Sequence, residues 1–245
     1  MEKYTSEKWG FEKSSKLCIL TGAGISAESG VKTFRDAGGL WEGHSIEDVA
    51  TPEGFARNPP LVIDFYNQRR KQLKEVDPNL AHIALAKLEE GLGADKCFVV
   101  TQNVDDLHER AGTRNIIHMH GELQKLRCVD SMDHVIDFEE SQTETQRCET
   151  CGASMRPHIV WFGEIPFEMQ LIERMIYECT HFVYIGTSSQ VYPAAGYKNL
   201  AKRNGSIVLN INLDVDQYDD DTDLYIEGKA GETVPDWVDD LLNLI

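Results

Sequence analysis

Short, almost uninterrupted apolar runs recur along the chain, and each gives way to small or polar residues. Lys16-Leu17-Cys18-Ile19-Leu20 runs into Thr21-Gly22-Ala23-Gly24, Cys97-Phe98-Val99-Val100 into Thr101-Gln102-Asn103, and Ile116-Ile117 into His118-Met119-His120-Gly121. His181-Phe182-Val183-Tyr184-Ile185 leads to Gly186-Thr187-Ser188, and Ile207-Val208-Leu209-Asn210-Ile211 to Asn212-Leu213-Asp214. Such runs predict strands buried on both faces, the habit of a parallel sheet. Polar residues gathered at their carboxyl ends predict a ligand crevice along that edge.

Helical patterns fall between the strands. Asn79 can cap a helix over 80–90, where Ile83, Leu85 and Leu88 make an imperfect apolar stripe. A better amphipathic helix spans 167–178, with Met169, Ile172, Met175 and Ile176, and a last one spans 236–244. Two insertions break the alternation: 41–76, punctuated by Pro52, Pro59 and Pro60, and 127–156, polar and cysteine-bearing with an acidic, hairpin-like middle. The predicted fold class is α/β: a Rossmann-like parallel sheet with a smaller module made of a helical insertion and a zinc-ribbon-like insertion. The corresponding division is 14–40, 91–126 and 157–245 for the nucleotide-binding domain, 41–90 for the helical insertion and 127–156 for the ribbon-like one.

Composition narrows the partners. The 245 residues are 41% hydrophobic and 27% charged, ordinary for a globular enzyme. A formal charge of −17 argues against a nucleic-acid surface, which needs clustered Lys and Arg, and is compatible with a basic peptide. No run approaches the ~18–20 apolar residues of a membrane span, and the start has no apolar signal region, so a cytoplasmic protein is expected. Cys18, Cys97 and Cys179 sit in apolar contexts and are expected to be buried thiols.

Gly22-Ala23-Gly24-Ile25-Ser26-Ala27 fits the dinucleotide fingerprint G-x-G-x-x-A. Gly22 would allow a tight turn, Gly24 would admit a pyrophosphate to the backbone, and Ala27 would keep a helix close to the sheet. The alternative is a turn that uses glycines for geometry alone. No acidic residue ~20 positions later closes a second strand, so Asp214 is the better ribose candidate. Gly30 arrives too early for a long first helix.

Other groups leave alternatives open. His118 and His120 could form an H-x-H metal pair, or merely pack. Asn103 and Asp105 could bind a ligand, cap the next helix, or do both. Tyr66 and Arg69, three apart on a predicted helix, could fork a carboxylate; otherwise Arg69-Arg70-Lys71 is a solvated basic face and Tyr66 is core. Cys148-x-x-Cys151 is a good metal half-site, but its partner reads Cys128-Val129-Asp130-Ser131, one thiol short, with Asp130, Asp133, His134 or water to fill the gap.

Taken in order, Gly22-Ala23-Gly24-Ile25-Ser26, Thr33-Phe34-Arg35-Asp36, Thr101-Gln102-Asn103-Val104-Asp105-Asp106-Leu107-His108, His118-Met119-His120-Gly121-Glu122-Leu123, Trp161-Phe162-Gly163-Glu164 and Gly186-Thr187-Ser188 resemble the sirtuin signature. The resemblance runs from about Lys16 to the end of the chain and is strongest to bacterial CobB-type sirtuins of class III. It implies an NAD-consuming lysine deacylase that releases nicotinamide and 2′-O-acyl-ADP-ribose.

Carried over by motif, His120 would be the general base. Gly22, Ala23, Gly24, Ser26, Ala27, Phe34, Arg35, Gln102, Asn103, Val104 and Asp105 would contact NAD, as would Gly186, Thr187, Ser188, Asn212, Leu213, Asp214 and Ala230. Many sirtuins carry aspartate before the Phe-Arg pair, where this chain has Thr33. Tyr66 and Arg69 match the Tyr-x-x-Arg signature of enzymes that accept succinyl- or malonyl-lysine, with acetyl-lysine also tolerated. Cys128, Cys148 and Cys151 would hold one structural zinc. The substrate peptide would add as a strand between 162–166 and 190–193, with a monomer as the default state. An NAD glycohydrolase or ADP-ribosyltransferase on the same fold is the alternative. A non-catalytic binding module fits neither the presence of His120 nor the acidity.

Overall fold

The computed structural model describes residues 1–32, 40, 41, 43–216 and 219–244. Strand β1 (Glu2–Lys3) and helix α1 (Ser6–Trp9) precede β2 (Leu17–Thr21). Thr5 caps α1 through the Lys8 N–H and Gly10 closes it in the left-handed region, which seats Trp9 on His181 with ring centroids 4.6 Å apart. After β2 come two 3₁₀ turns, Ala23–Ile25 and Ala27–Ser29, that end at Gly30 with a φ of 94°. Among the described residues only 3₁₀ turns, and no α-helix, directly follow the glycine-rich turn, so no α-helical N-terminus stands at Gly24 to receive an anion.

A short hairpin, β3 (Leu40–Trp41) and β4 (His44–Ser45), leads to α2 (Ile46–Val49), α3 (Pro52–Arg57) and α4 (Pro59–Leu73). Asn58 caps α4 by accepting the Leu61 N–H, and Pro59 sits where the absent N–H has no helical partner to lose. Asn79 caps α5 (Leu80–Leu92), and His82 Nδ1 reciprocates by accepting the Asn79 N–H. The chain continues through β5 (Cys97–Thr101), α6 (Leu107–Ala111), β6 (Ile116–His118), β7 (Gly121–Cys128), β8 (Val135–Asp137) and β9 (Met155–Ile159). It closes with α7 (Met169–Glu178), β10 (His181–Ile185), α8 (Tyr197–Arg203), β11 (Ile207–Asn212), β12 (Leu224–Glu227) and α9 (Ala230–Asn243).

Among the described residues the main sheet has seven strands in the order β1-β12-β11-β10-β2-β5-β6, every neighbouring pair parallel. Side chains alternate between two cores. Leu17, Ile19, Val183 and Ile185 pack with α5 and α9, while Cys18, Leu20, Phe182 and Tyr184 pack with α7 and α8. The chain leaves β2 toward β5 and leaves β10 toward β11, in opposite directions, so the crevice expected of a parallel sheet opens between β2 and β10.

Several boundaries differ from expectation. Helix α9 begins six residues before 236 and runs through Pro235, because Val234, Trp237, Val238 and Leu241 form one buried stripe against the sheet. Glu168 takes a φ of 55°, which delays α7 to Met169. On α5 the buried face is Ala81, Ala84, Leu85 and Leu88, and Ile83 is exposed. The stretch 80–90, counted with the helical insertion in the sequence, packs on the main sheet, and so does the N-terminal strand before residue 14.

The insertions meet where Asn67 bonds the Gln142 backbone in both directions. Val62, Phe65 and Tyr66 of α4 pack on Leu123, Ile159 and Trp161, which flank the ribbon-like insertion, and an antiparallel sheet in the order β8-β7-β9 carries the cysteines at its far end. Gly121 starts β7 with a φ of 86°; a Cβ there would lie 2.0 Å from the His158 carbonyl oxygen, so only glycine fits. No helix among the described residues is long and apolar enough to cross a membrane.

Candidate active site

Register places the strand ends together: Thr21 lies beside Ile185 and Thr101, and Thr101 beside His118. The loops that follow therefore open on one edge. A Cβ on Gly24 would lie 2.7 Å from Gly186 Cα, and one on Gly186 2.4 Å from the Ile25 nitrogen. The glycines allow the loops after β2 and β10 to touch backbone to backbone, joined by Gly24 N–H to the Gly186 carbonyl at 2.7 Å. Gly22 is extended, with a φ of −127°, and its missing side chain makes room for Thr187, so the tight-turn rationale does not hold. Ala23 is half-buried, and Ala27 is exposed on a 3₁₀ turn instead of wedged against the sheet. Phe34 and Arg35 lie outside the described residues.

The loop after β5 is knitted to its neighbours. Gln102 Nε2 donates to Thr187 Oγ1 at 2.9 Å, and Asn212 Nδ2 to the Thr187 carbonyl at 2.7 Å, so one threonine ties three strand ends. Asn103 and Asp105 are buried and converge on Ser26, whose hydroxyl donates to Asp105 (3.1 Å) and accepts from Asn103 Nδ2 (3.1 Å). Asp105 also accepts the Leu107 N–H at the start of α6, the capping role foreseen for it. Burial raises its pKa to about 6, against the pull of those two hydrogen bonds. Val104 accepts the Leu123 N–H through its carbonyl. Ser188 is half-buried, and Leu213 and Asp214 are exposed at the rim. Ala230 packs in the core at the start of α9, where the Gly231 N–H meets the Glu28 carboxylate at 2.6 Å beside the glycine-rich turn.

His120 stands at the seam between the sheets, and its carbonyl accepts the Val160 N–H at 2.9 Å. Its Nδ1 lies 3.1 Å from the Gln102 carbonyl oxygen, an acceptor, so the proton sits on Nδ1 and Nε2 keeps its lone pair. Burial lowers its pKa below 6.5, only partly opposed by that carbonyl. His118 faces elsewhere: Nδ1 toward the Asn103 carbonyl (3.2 Å) and Nε2 toward Glu109 (2.5 Å). Among the described residues the ligand-bearing cluster that holds His118 contains Glu109 and Glu122, not His120, so the two rings do not form an H-x-H metal pair.

Beneath these loops lies a polar layer that sequence reasoning missed. The Thr21 hydroxyl bridges Thr101 (2.8 Å) and His108 Nε2 (3.0 Å), and His82 Nε2 lies 3.4 Å from Ser26. Burial pushes His82 down to about 4 and His108 well below its ordinary value, so both rings are neutral. The Asn79-x-x-His82 spacing was a usable signal for the first; nothing local marks His108.

Tyr66 is fully buried, and its hydroxyl accepts Trp161 Nε1–H at 2.9 Å. Arg69 is 8% exposed and Arg70 2%, with Arg70 Nε donating to the Leu123 carbonyl, so the solvated-face alternative fails for both arginines. Tyr66 is core and Arg69 acts electrostatically on its phenol. Trp161 is two residues past Ile159 and one past Val160, which pairs with His120, so this cluster borders the seam that holds His120. Glu164, also unforeseen as a structural centre, accepts from Arg127 (2.9 Å), Arg156 (2.7 Å) and the Trp161 N–H (2.8 Å).

At the far end of the small sheet, Cys128, His134, Cys148 and Cys151 bring one ligand atom each within 4.8 Å of one another. Cys128 Sγ is 3.4 Å from Cys151 Sγ, and Cys148 Sγ is 3.4 Å from His134 Nδ1. His134 thus fills the gap; Ser131 instead accepts the Asp133 N–H. Three thiols and an imidazole are a regular structural-zinc set.

A glycine-lined switch point in a parallel sheet, with a neutral histidine at the seam to a smaller helix-and-ribbon module, has the layout of a nucleotide-binding α/β protein. The chain belongs to the Sir2 family, whose model matches residues 22–193. It is 52% identical over 230 residues to a Pasteurella multocida protein named NAD-dependent protein deacylase, covering 92% of this chain and 97% of that one. A Salmonella typhimurium protein of the same name is 51% identical over 234 residues, 94% of this chain and 85% of the relative. Among solved structures, a Sir2 homolog–NAD complex superposes with a TM-score of 0.87 at 36% identity, covering 99% of this chain and 96% of that one. A Sir2 bound to acetylated peptide gives 0.78 at 28% identity, covering 92% and 93%.

Proposed function

We propose that this chain is an NAD-dependent protein-lysine deacylase that removes acetyl and succinyl or malonyl groups and releases nicotinamide and 2′-O-acyl-ADP-ribose. The observation that carries this reading is His120: a neutral imidazole with Nε2 open, at the point where the loops after β2, β5, β10 and β11 converge.

NAD, when bound, supplies an electrophilic ribose carbon and the nicotinamide leaving group. The backbone of 22–26 and 186–188 lines the β2/β10 crevice and would hold the phosphates, with Asn212, Leu213 and Asp214 at the ribose and Ala230 near the adenine. Asn103 and Asp105, pre-set by Ser26, would orient nicotinamide and its ribose without reorganisation. His120 Nε2 would take a ribose hydroxyl proton to start acyl migration. Phe34 would screen the ribose carbon and Arg35 would pair with phosphate, the roles that the resemblance implies for this motif.

On the substrate side, Phe162 and Ile165 on one segment and Val191 and Tyr192 on the other are exposed apolar groups, suited to an extended peptide between them. Tyr66 and Arg69 would receive the carboxylate of a succinyl or malonyl chain. Zinc, when bound, would be held by Cys128, His134, Cys148 and Cys151 and cross-link the end of β7 to the 148–151 turn, remote from His120 and structural. In this reading 14–40, 91–126 and 157–245, joined by β1 and α5, form the NAD-binding domain, and 41–79 and 127–156 the small one. In this reading the protein works in the cytoplasm as a monomer.

The test is nicotinamide release from NAD with and without matched acetyl- and succinyl-lysine peptides. Peptide-dependent release that disappears in His120→Ala supports the deacylase. Release that ignores the peptide would instead indicate an NAD glycohydrolase.

A further inference from the structure

His118 and His120 leave the same strand end and turn Nδ1 to carbonyls of adjacent residues, Asn103 and Gln102. Their other nitrogens differ. Nε2 of His118 meets a carboxylate, Glu109 Oε1 at 2.5 Å, and its side chain is only 8% exposed. Both His118 nitrogens therefore face oxygen acceptors, and a neutral ring has one N–H for the two. A second proton resolves the conflict and makes both contacts charge-assisted.

Burial disfavours a charged ring here, but Glu109, then Glu122 and the Asn103 carbonyl, outweigh it and raise the pKa above 6.5. The charged groups around the ring come from three elements: Glu109 on α6, Glu122 on β7, and Asp105 and Asp106 on the loop between β5 and α6. Their cationic partners are engaged, Lys125 with Glu122 and Arg110 with Asp106 and Asp77. His108 and His158 feel the His118 charge and are pushed further toward neutrality by it. Asp105 feels it in the opposite sense and is helped to ionise.

We propose that His118, gripped by Glu109, is a positioning residue for the NAD site: it holds the Asn103 carbonyl and so aims the Asn103 and Asp105 side chains at the bound nucleotide. The proposal rests on the NAD-dependent reading above. Helix α6 thereby braces the cofactor loop through one imidazolium, while the otherwise similar His120 stays neutral for acid–base work.

The experiment uses the full chain. NMR titration of His118 without ligand reports its charge, and NAD binding by calorimetry is set beside KM for NAD, KM for peptide and kcat. Wild-type His118 titrates above 6.5, and in Glu109→Ala it titrates below. KM for NAD rises about tenfold in His118→Ala and Glu109→Ala with peptide KM within about twofold. Glu109→Gln, whose amide can donate to a neutral Nε2, restores NAD KM to within about threefold of wild type. Wild-type kcat/KM for NAD falls as pH rises through the His118 titration, and Glu109→Gln abolishes that limb.

Wild-type His118 titrating below 6.5 would overturn the proposal. So would unchanged NAD binding in the Glu109→Ala variant, which alters a partly exposed helix residue and keeps the test independent of any folding defect at His118. Wild-type protein that binds no NAD would strike the functional reading itself, whereas tight NAD binding indifferent to these substitutions would strike His118 alone.

Discussion

His120 Nδ1 lies 3.1 Å from the Gln102 carbonyl oxygen, and that bond decides which ring nitrogen is left to act as a base. The same loop proposed to order the nucleotide thus orders the imidazole. His120→Ala is expected to lower peptide-dependent kcat by about 10²–10⁴-fold with little change in NAD affinity. Because burial lowers its pKa, the acid limb of kcat/KM should fall below 6.5, with activity lost as pH drops through that limb. Steady-state kinetics across pH checks both.

The Tyr66 and Arg69 pair can be separated by acyl group. Tyr66→Phe with Arg69→Met should reduce desuccinylation at least about tenfold more than deacetylation, since a succinyl carboxylate would enter without a charged partner. Tyr66→Phe also leaves the buried Trp161 Nε1–H without its acceptor, at a cost of about 1–2 kcal/mol in a urea melt. Matched peptides assayed well below the lowered melting temperature keep the two effects apart. Equal loss on both peptides would remove the carboxylate role.

His134 rather than Ser131 is the expected fourth metal ligand. Purified protein should carry about one zinc, and His134→Ala should weaken binding at least about tenfold in a chelator competition while Ser131→Ala leaves it unchanged. Stripping the metal should lower the melting temperature without displacing His120, which sits at the other end of β7. Protein free of zinc at full occupancy of the fold would defeat this.

Acid should unfold the protein through its buried neutral histidines. His82 and His158 are held near 4 and His108 well below its ordinary value, against 6.5 when unfolded, all first by burial. Folded-state pKa values below the unfolded one mean stability is complete above 6.5 and is lost as pH falls toward 4. His82 alone accounts for ~3 kcal/mol over that window. Asp105 works the other way, its raised pKa returning stability as pH falls from about 6 toward 3.8, but it opposes several histidines. His82→Gln keeps the capping acceptor for the Asn79 N–H and should flatten the slope of melting temperature against pH.

Much of this was legible in one dimension. The main-sheet strands from β2 to β11 follow from unbroken apolar runs, and their polar ends from the crevice rule. The half-site Cys148-x-x-Cys151 declared itself, as did the glycines. Other features were hidden for identifiable reasons. Ile83 seemed as apolar as its neighbours, yet the face of α5 that packs on the core carries Ala81, Ala84, Leu85 and Leu88, which leaves Ile83 exposed. Ala27 matched a fingerprint whose helix is absent, and Pro235 disguised a helix that tertiary burial stabilises through Val234 and Trp237.

What the sequence determined by itself is whatever depends on nearest neighbours and face periodicity: strand, cap, turn, and the kinds of side chain delivered to the sheet's edge. What only the tertiary structure decided is which of those groups meet, and in which charge state. His118 and His120 are chemically identical and two residues apart, but one meets a carboxylate from another element and the other does not. Protonation follows the local dielectric and the nearest charges, and both are set by elements distant in the chain.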